Sequence, residues 1–150
     1  MRLYLDTSVL GALLDHDDQR RVTISRTLLG SISAQVHVGV ISNVVQEELE
    51  QAPDAVRGAI LTSIRDIEFE LVIESDESSS LFSAYETLAV IPPRYRNDLR
   101  HVAAASAGHV DALVSWNFRH LVNVRTRRAV NSVNLRLGYP LIEIVSPEEV

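Results

Sequence analysis

Five oxygen-bearing side chains sit where chemistry is easiest to place in this chain: Asp6, Glu48, Asp98, Asp111 and Asn117. Asp6 closes a short apolar run, and Glu48 lies one to two turns into a helical stretch after a second such run. Asp98 falls in the first turn of a helical segment after Pro92-Pro93, while Asp111 and Asn117 bracket a third apolar run. In open α/β sheets, ligands bind outside the carboxyl ends of the strands. Corresponding positions in successive units can therefore bring these groups to one edge. Carboxylates and an amide are hard oxygen donors, suited to Mg²⁺ or Mn²⁺. Such ions activate water and offset charge on a phosphodiester. Without a cation, four crowded acids raise one another's pKa values. Taken singly, each acid reads more simply as a surface residue or a helix cap.

The elements that must position them follow from periodicity. Arg2–Leu5 reads as a strand, and Thr7-Ser8 opens an apolar helical stretch, Val9–Leu14. Arg20–Ala34 has helical spacing, and Val36–Ile41 is a β-branched run typical of a buried strand. Ser42 suits the N-cap of a helix over Asn43–Gln51, which stops before Pro53. Further helices are expected over Asp54–Arg65, Glu77–Ala89, Asn97–Ala107 and Arg125–Leu137, the last two closed by Gly108 and Gly138 as left-handed caps. Strands are expected at Phe69–Ile73, Ala112–Ser115 and Leu141–Val145. Strands alternating with helices, with no repeat and no linker, predict one α/β domain over 1–150: a three-layer α/β/α sandwich around a mostly parallel sheet.

Composition narrows the chemistry. With 46% hydrophobic and 23% charged residues, the 150-residue chain is in the globular range. It has no cysteine, which removes disulfides, thiolate zinc sites and cysteine nucleophiles and agrees with a reducing cytoplasm. All 14 basic residues are arginine, which excludes a Walker-type loop, a Schiff-base lysine and a serine–lysine pair. No apolar run is long enough to span a bilayer, and the N-terminus does not read as a signal peptide. Net charge is −6, unevenly spread: 6 Arg face 15 acids in residues 1–93, whereas 8 Arg face 5 acids in 94–150. The basic second part leaves room for a phosphate-contacting face.

Four segments, in order, resemble the PIN-domain ribonucleases, which include toxins of toxin–antitoxin pairs: LDTSVL at Leu5–Leu10, VVQEEL at Val44–Leu49, NDLRHVAAA at Asn97–Ala105 and DALVSWNFRHL at Asp111–Leu121. The resemblance implies a PIN-like fold and a Mg²⁺- or Mn²⁺-dependent endoribonuclease. It assigns the metal-holding acidic places to Asp6, Glu48, Asp98 and Asp111, with Ser8 and Ser115 as supports. Glu48 is preferred to Glu47, because one residue turns a helix by about 100° and only one of the two can face the site. Asn117 departs from the pattern, since many members carry a further aspartate there. The resemblance also implies an RNA substrate, a cognate antitoxin and a homodimer.

Around these lie His101, three residues after Asp98 and on the same helical face, Trp116 in the SWNF turn, and His120 just after that turn. Both histidines read first as packing or supporting groups, and Trp116 as either local packing or a base-stacking face. Arg94, Arg96, Arg100 and Arg119 are candidate RNA contacts, with Arg125, Arg127 and Arg128 balanced between that role and an exposed helix face. Two other functions compete. A weakened RNA- or protein-binding domain on the same fold is motivated by Asn117. A phosphatase with Asp6 as nucleophile fits less well, because Ser8 stands where that motif wants an aspartate.

Overall fold

The computed structural model describes all residues, Met1–Val150. Five strands form one sheet: β1 (Arg2–Leu5), β2 (Val38–Ser42), β3 (Phe69–Val72), β4 (Ala112–Val114) and β5 (Glu143–Val145). They are all parallel, in the order β3-β2-β1-β4-β5. Seven helices connect them: α1 (Thr7–Gly11), α2 (Gln19–Ser33), α3 (Asn43–Gln51), α4 (Asp54–Ile64), α5 (Asp76–Thr87), α6 (Arg96–Ala107) and α7 (Val124–Leu137). From β1 the chain winds outward through β2 to β3, then crosses back to β4 and β5. Right-handed crossovers put the two sets of connections on opposite faces. In keeping with this, α2 and α4 pack on the turn after α1, and α5 packs on α6 and α7. This is the expected α/β architecture. The central strands are apolar because both of their faces are covered: Leu3, Tyr4, Leu5, Leu113 and Val114 are fully buried.

Local chemistry explains where elements begin and end. Ser42 caps α3 by accepting from Val44 N, and Ser75 and Ser78 form a reciprocal capping box at α5. Gly138 closes α7 in the left-handed region at φ 80°. The expected helix over Val9–Leu14 is instead α1 plus a 3₁₀ turn, Ala12–Leu14. The second strand starts at Val38 rather than Val36, because the Val36 N–H still closes the end of α2 on Ser31 O. Ile142 lies outside β5 because Asn131 captures both its N–H and its carbonyl.

Gly108 is not a left-handed cap. Its φ is −77°, and the left-handed residue is His109 at φ 50°. Glycine is needed at 108 for space: a Cβ there would lie 3.0 Å from Val72 Cγ2 and 3.1 Å from Ala104 O. Gly39 is tighter still. A Cβ would stand 2.8 Å from Phe69 Cδ1 and 2.9 Å from Ile32 Cγ2. Gly39→Ala is therefore expected to overpack the β2–β3–α2 junction and destabilise the chain by about 1–3 kcal/mol in urea unfolding. An unchanged midpoint would show that Phe69 yields freely.

Candidate active site

Because β1 and β4 are adjacent but lead in opposite directions across the sheet, their carboxyl ends form a switch point, the usual place for a ligand cleft in such folds. Asp6 leaves β1 there and Ser115 leaves β4. Asp6 is 4% exposed and caps α1 by accepting from Ser8 N at 3.0 Å. Ser8 Oγ donates to Asp6 Oδ1 at 2.5 Å, and Ser115 Oγ to Oδ2 at 2.7 Å. Burial pushes the Asp6 carboxyl above its ordinary value, and the neighbouring Glu48 adds to this. His101 and the two serines act the other way but do not cancel it. The structure thus holds a carboxylate in a place that disfavours its charge.

Glu48 reaches the same edge from α3. Its Oε1 accepts from Thr7 Oγ1 at 2.9 Å and meets His101 Nε2. Burial works against its ionisation, yet His101, Thr7 and Arg100 outweigh burial and hold its carboxyl below the ordinary value. Glu47 turns away, to Asn43 and Arg100, as the helical rotation requires. From α6, Asp98 Oδ2 accepts from Asn117 Nδ2 at 3.2 Å and pairs with His120 Nδ1 at 2.8 Å. Asn117 links back through its N–H, which donates to Ser115 Oγ. Asp6, Asp98, Ser8, Ser115 and Asn117 therefore share one hydrogen-bonded network, and Glu48 lies at the same edge, held by Thr7 and His101. The amide oxygen of Asn117 is taken by His120 N.

Asp111 does not join them. It precedes β4, so it stands at the opposite edge, beside Arg2, whose backbone N–H donates to Asp111 Oδ2 at 2.7 Å. The three residues of β4 lie between it and Ser115, four steps or about 13 Å at 3.3 Å per residue. Arg100 is also corrected as an RNA contact. It is consumed by Glu74, Glu47 and Asn97. Those pairs push the Arg100 pKa up and hold Glu47 and Glu74 below the ordinary range. Arg94 and Arg96 lie over the rings of Tyr95 and Phe82, and Arg119 is exposed.

Trp116 offers no stacking face. It is buried, its indole N–H donates to Ser25, and Arg21 covers its ring. The exposed aromatic is its neighbour Phe118, at 45%. Glu74 and Thr7 were also missed, although Glu74 directly follows the expected strand Phe69–Ile73.

In donor chemistry the edge suits a hard cation. The protein hydrogen bonds to Glu48 fall on Oε1 and those to Asp98 on Oδ2, so each keeps an oxygen free. No three acidic or imidazole side chains are gathered closely enough to cage an ion alone. That leaves the Mg²⁺ style of binding, through one or two carboxylates with waters and substrate oxygens completing the shell.

No protein-family model matches the chain, and comparison with curated proteins finds no match. Among solved structures it is similar to a chain in the crystal structure of VapBC2 from Rickettsia felis bound to a DNA fragment from their promoter. The TM-score is 0.62 at 15% identity, covering 97% of this chain and 98% of that one. The likeness shows the fold, which is PIN-like. No helix is long and apolar enough to cross a membrane.

The Glu74–Arg100 pair has a defined pH signature. A carboxyl lowered in the fold stabilises it above the unfolded pKa, about 4.3 for glutamate, and that stabilisation is lost as pH falls through the folded value. Asp6, being raised, has the opposite sign: its contribution weakens as pH rises. Glu74→Gln should cost about 1 kcal/mol near neutrality, roughly 3 °C in Tm. In a melting series the gap to wild type should close below about pH 4. A gap independent of pH would mean that charge is not what Glu74 contributes.

Proposed function

We propose that this protein is a divalent-metal-dependent endoribonuclease, the toxin of a toxin–antitoxin pair. One observation carries the reading: on a PIN-like fold, Asp6, Glu48 and Asp98 lie along the edge at the β1–β4 switch point, where Ser8, Ser115 and Asn117 link Asp6 to Asp98 and Thr7, beside Asp6, holds Glu48. The likeness to a chain of the VapBC2 structure supports the toxin assignment and a cognate antitoxin as partner. Toxins that this chain resembles self-associate, so a homodimer is part of the proposal.

Asp6, Glu48 and Asp98 would hold Mg²⁺ or Mn²⁺, which supplies an activated water and offsets charge on the phosphate. The chain's own residues prepare the place for it. Ser8 and Ser115 fix the Asp6 carboxylate, His120 and Asn117 fix Asp98, and Thr7 and His101 fix Glu48. Burial leaves Asp6 short of positive charge, so a cation relieves a cost already present in the fold. Arg94, Arg96 and Arg119 carry no ion pair with an acid and lie on the same side of the chain's charge division, free to meet phosphates. Phe118, exposed one residue past Asn117, offers a face to an unpaired base.

Purified protein with Mn²⁺ should cleave a mixed RNA pool. Asp6→Asn and Asp98→Asn should each reduce the rate by about 100-fold or more, whereas Asp111→Asn should leave it within about twofold, because that residue serves the far edge. Equal loss in all three variants would point to folding rather than chemistry, and unchanged cleavage in the first two would end the proposal.

A second reading is favoured by one observation: both ends of the Asn117 amide, both oxygens of Asp6 and one oxygen each of Glu48 and Asp98 are satisfied by protein groups. On that reading the chain is an RNA- or protein-binding domain with a weakened centre. Calorimetry separates the two. Mn²⁺ binding that disappears in Asp6→Asn favours the nuclease.

A further inference from the structure

Behind Glu48 a line of polar groups runs into the core. Tyr4 of β1 is fully buried, yet its hydroxyl lies 2.6 Å from Ser42 Oγ and 2.7 Å from His101 Nδ1. His101 is 2% exposed, and its Nε2 meets Glu48 Oε1. Ser42 Oγ also accepts from Val44 N at 3.2 Å.

The direction of these bonds follows from what each group can do. An ionised carboxylate only accepts, so His101 Nε2 carries the hydrogen. In a neutral imidazole Nδ1 is then an acceptor, and Tyr4 donates to it. The Tyr4 oxygen in turn accepts from the Ser42 hydroxyl, whose own oxygen takes the Val44 N–H. Each link is satisfied, and all run toward Glu48.

We infer that Tyr4 and His101 are positioning residues for Glu48, fixing Oε1 so that Oε2 faces the divalent cation; this rests on the nuclease reading above. The line joins β2, β1, α6 and α3, and His101 stands one turn beyond Asp98 on α6. It therefore ties Glu48 to the same helix that presents Asp98. Packing alone does not call for such a line, since polar groups buried in an apolar core are tolerated only when fully paired.

The test uses Tyr4→Phe, which keeps the ring and removes one oxygen, in the full chain. Long-range ¹H–¹⁵N correlation reads the His101 tautomer, and calorimetry reads Mn²⁺ affinity without any nuclease assay. Wild type should show the Nε2–H form. Tyr4→Phe should show mixed tautomers and bind Mn²⁺ about 10–100-fold more weakly, which a merely structural tyrosine would not cause. A proton on Nδ1 in wild type overturns the inference, as does undiminished Mn²⁺ affinity in a folded Tyr4→Phe. If that variant does not fold, the wild-type tautomer decides. Wild type that binds no Mn²⁺ sinks the nuclease reading instead, while an Nε2–H signal lost in Tyr4→Phe would still uphold the line of bonds to Glu48.

Discussion

A carboxylate buried at the seam between β1 and β4 is the constraint around which the rest is arranged. Asp6 cannot be solvated by water where it lies, so the chain supplies hydroxyls: Ser8 from the start of α1 and Ser115 from the end of β4. Both come from residues that must follow their strands directly, which ties the site to the parallel pairing of β1 with β4. Slipping that register would move Ser115 away from Asp6 and leave a buried acid without its donors. Such an uncompensated group costs more than a typical surface contact supplies.

Charge is the second constraint. Asp6, Glu48, Asp98, Glu47 and Glu74 all belong to the segments that follow strands, and they would repel one another without relief. The relief is divided. Arg100 takes Glu47 and Glu74, binding them as a half-buried network on one flank. The remaining three acids receive neutral or weakly basic donors: serine, threonine, asparagine and imidazole. A direct ion pair with Arg100 on one side and none on the other is what distinguishes the proposed metal-facing acids from the structural ones, although Arg100 still acts on Glu48 from a distance. Sequence position alone does not make that distinction, because Glu47 and Glu48 are adjacent.

Much of this could be read from the residues. The alternation of apolar runs with helical spacing is strong here, since the central strands are covered on both faces. Asp6 and Glu48 were legible because strand ends and helical rotation are local properties. Asp111 was misplaced for a reason equally physical. An acid before a strand and one after it look alike in a sequence, but in a parallel sheet they are on opposite edges. Arg100 was misread because its partners, Glu47 and Glu74, come from separate elements that only the fold brings together. Trp116 was left between packing and stacking for a similar reason: Ser25, which takes the indole N–H, is 91 residues away.

Asn117 looks like a loss when set against the acids of the resembling family, yet its surroundings give it a reason. Its side chain donates to Asp98 and accepts from His120 N, while its backbone N–H donates to Ser115. An aspartate there could not donate to Asp98, and it would place a further negative charge against that acid, whose other side-chain partner is the His120 imidazole. The amide therefore joins the Asp98 and Asp6 parts of the edge without adding to their repulsion. Under the proposed nuclease reading, the amide would lower the charge that a cation must offset and shift the demand for coordination onto the free oxygens of Glu48 and Asp98. On that same reading, such a site would favour one ion over two, because a second would have to be held where the protein presents an amide already in use.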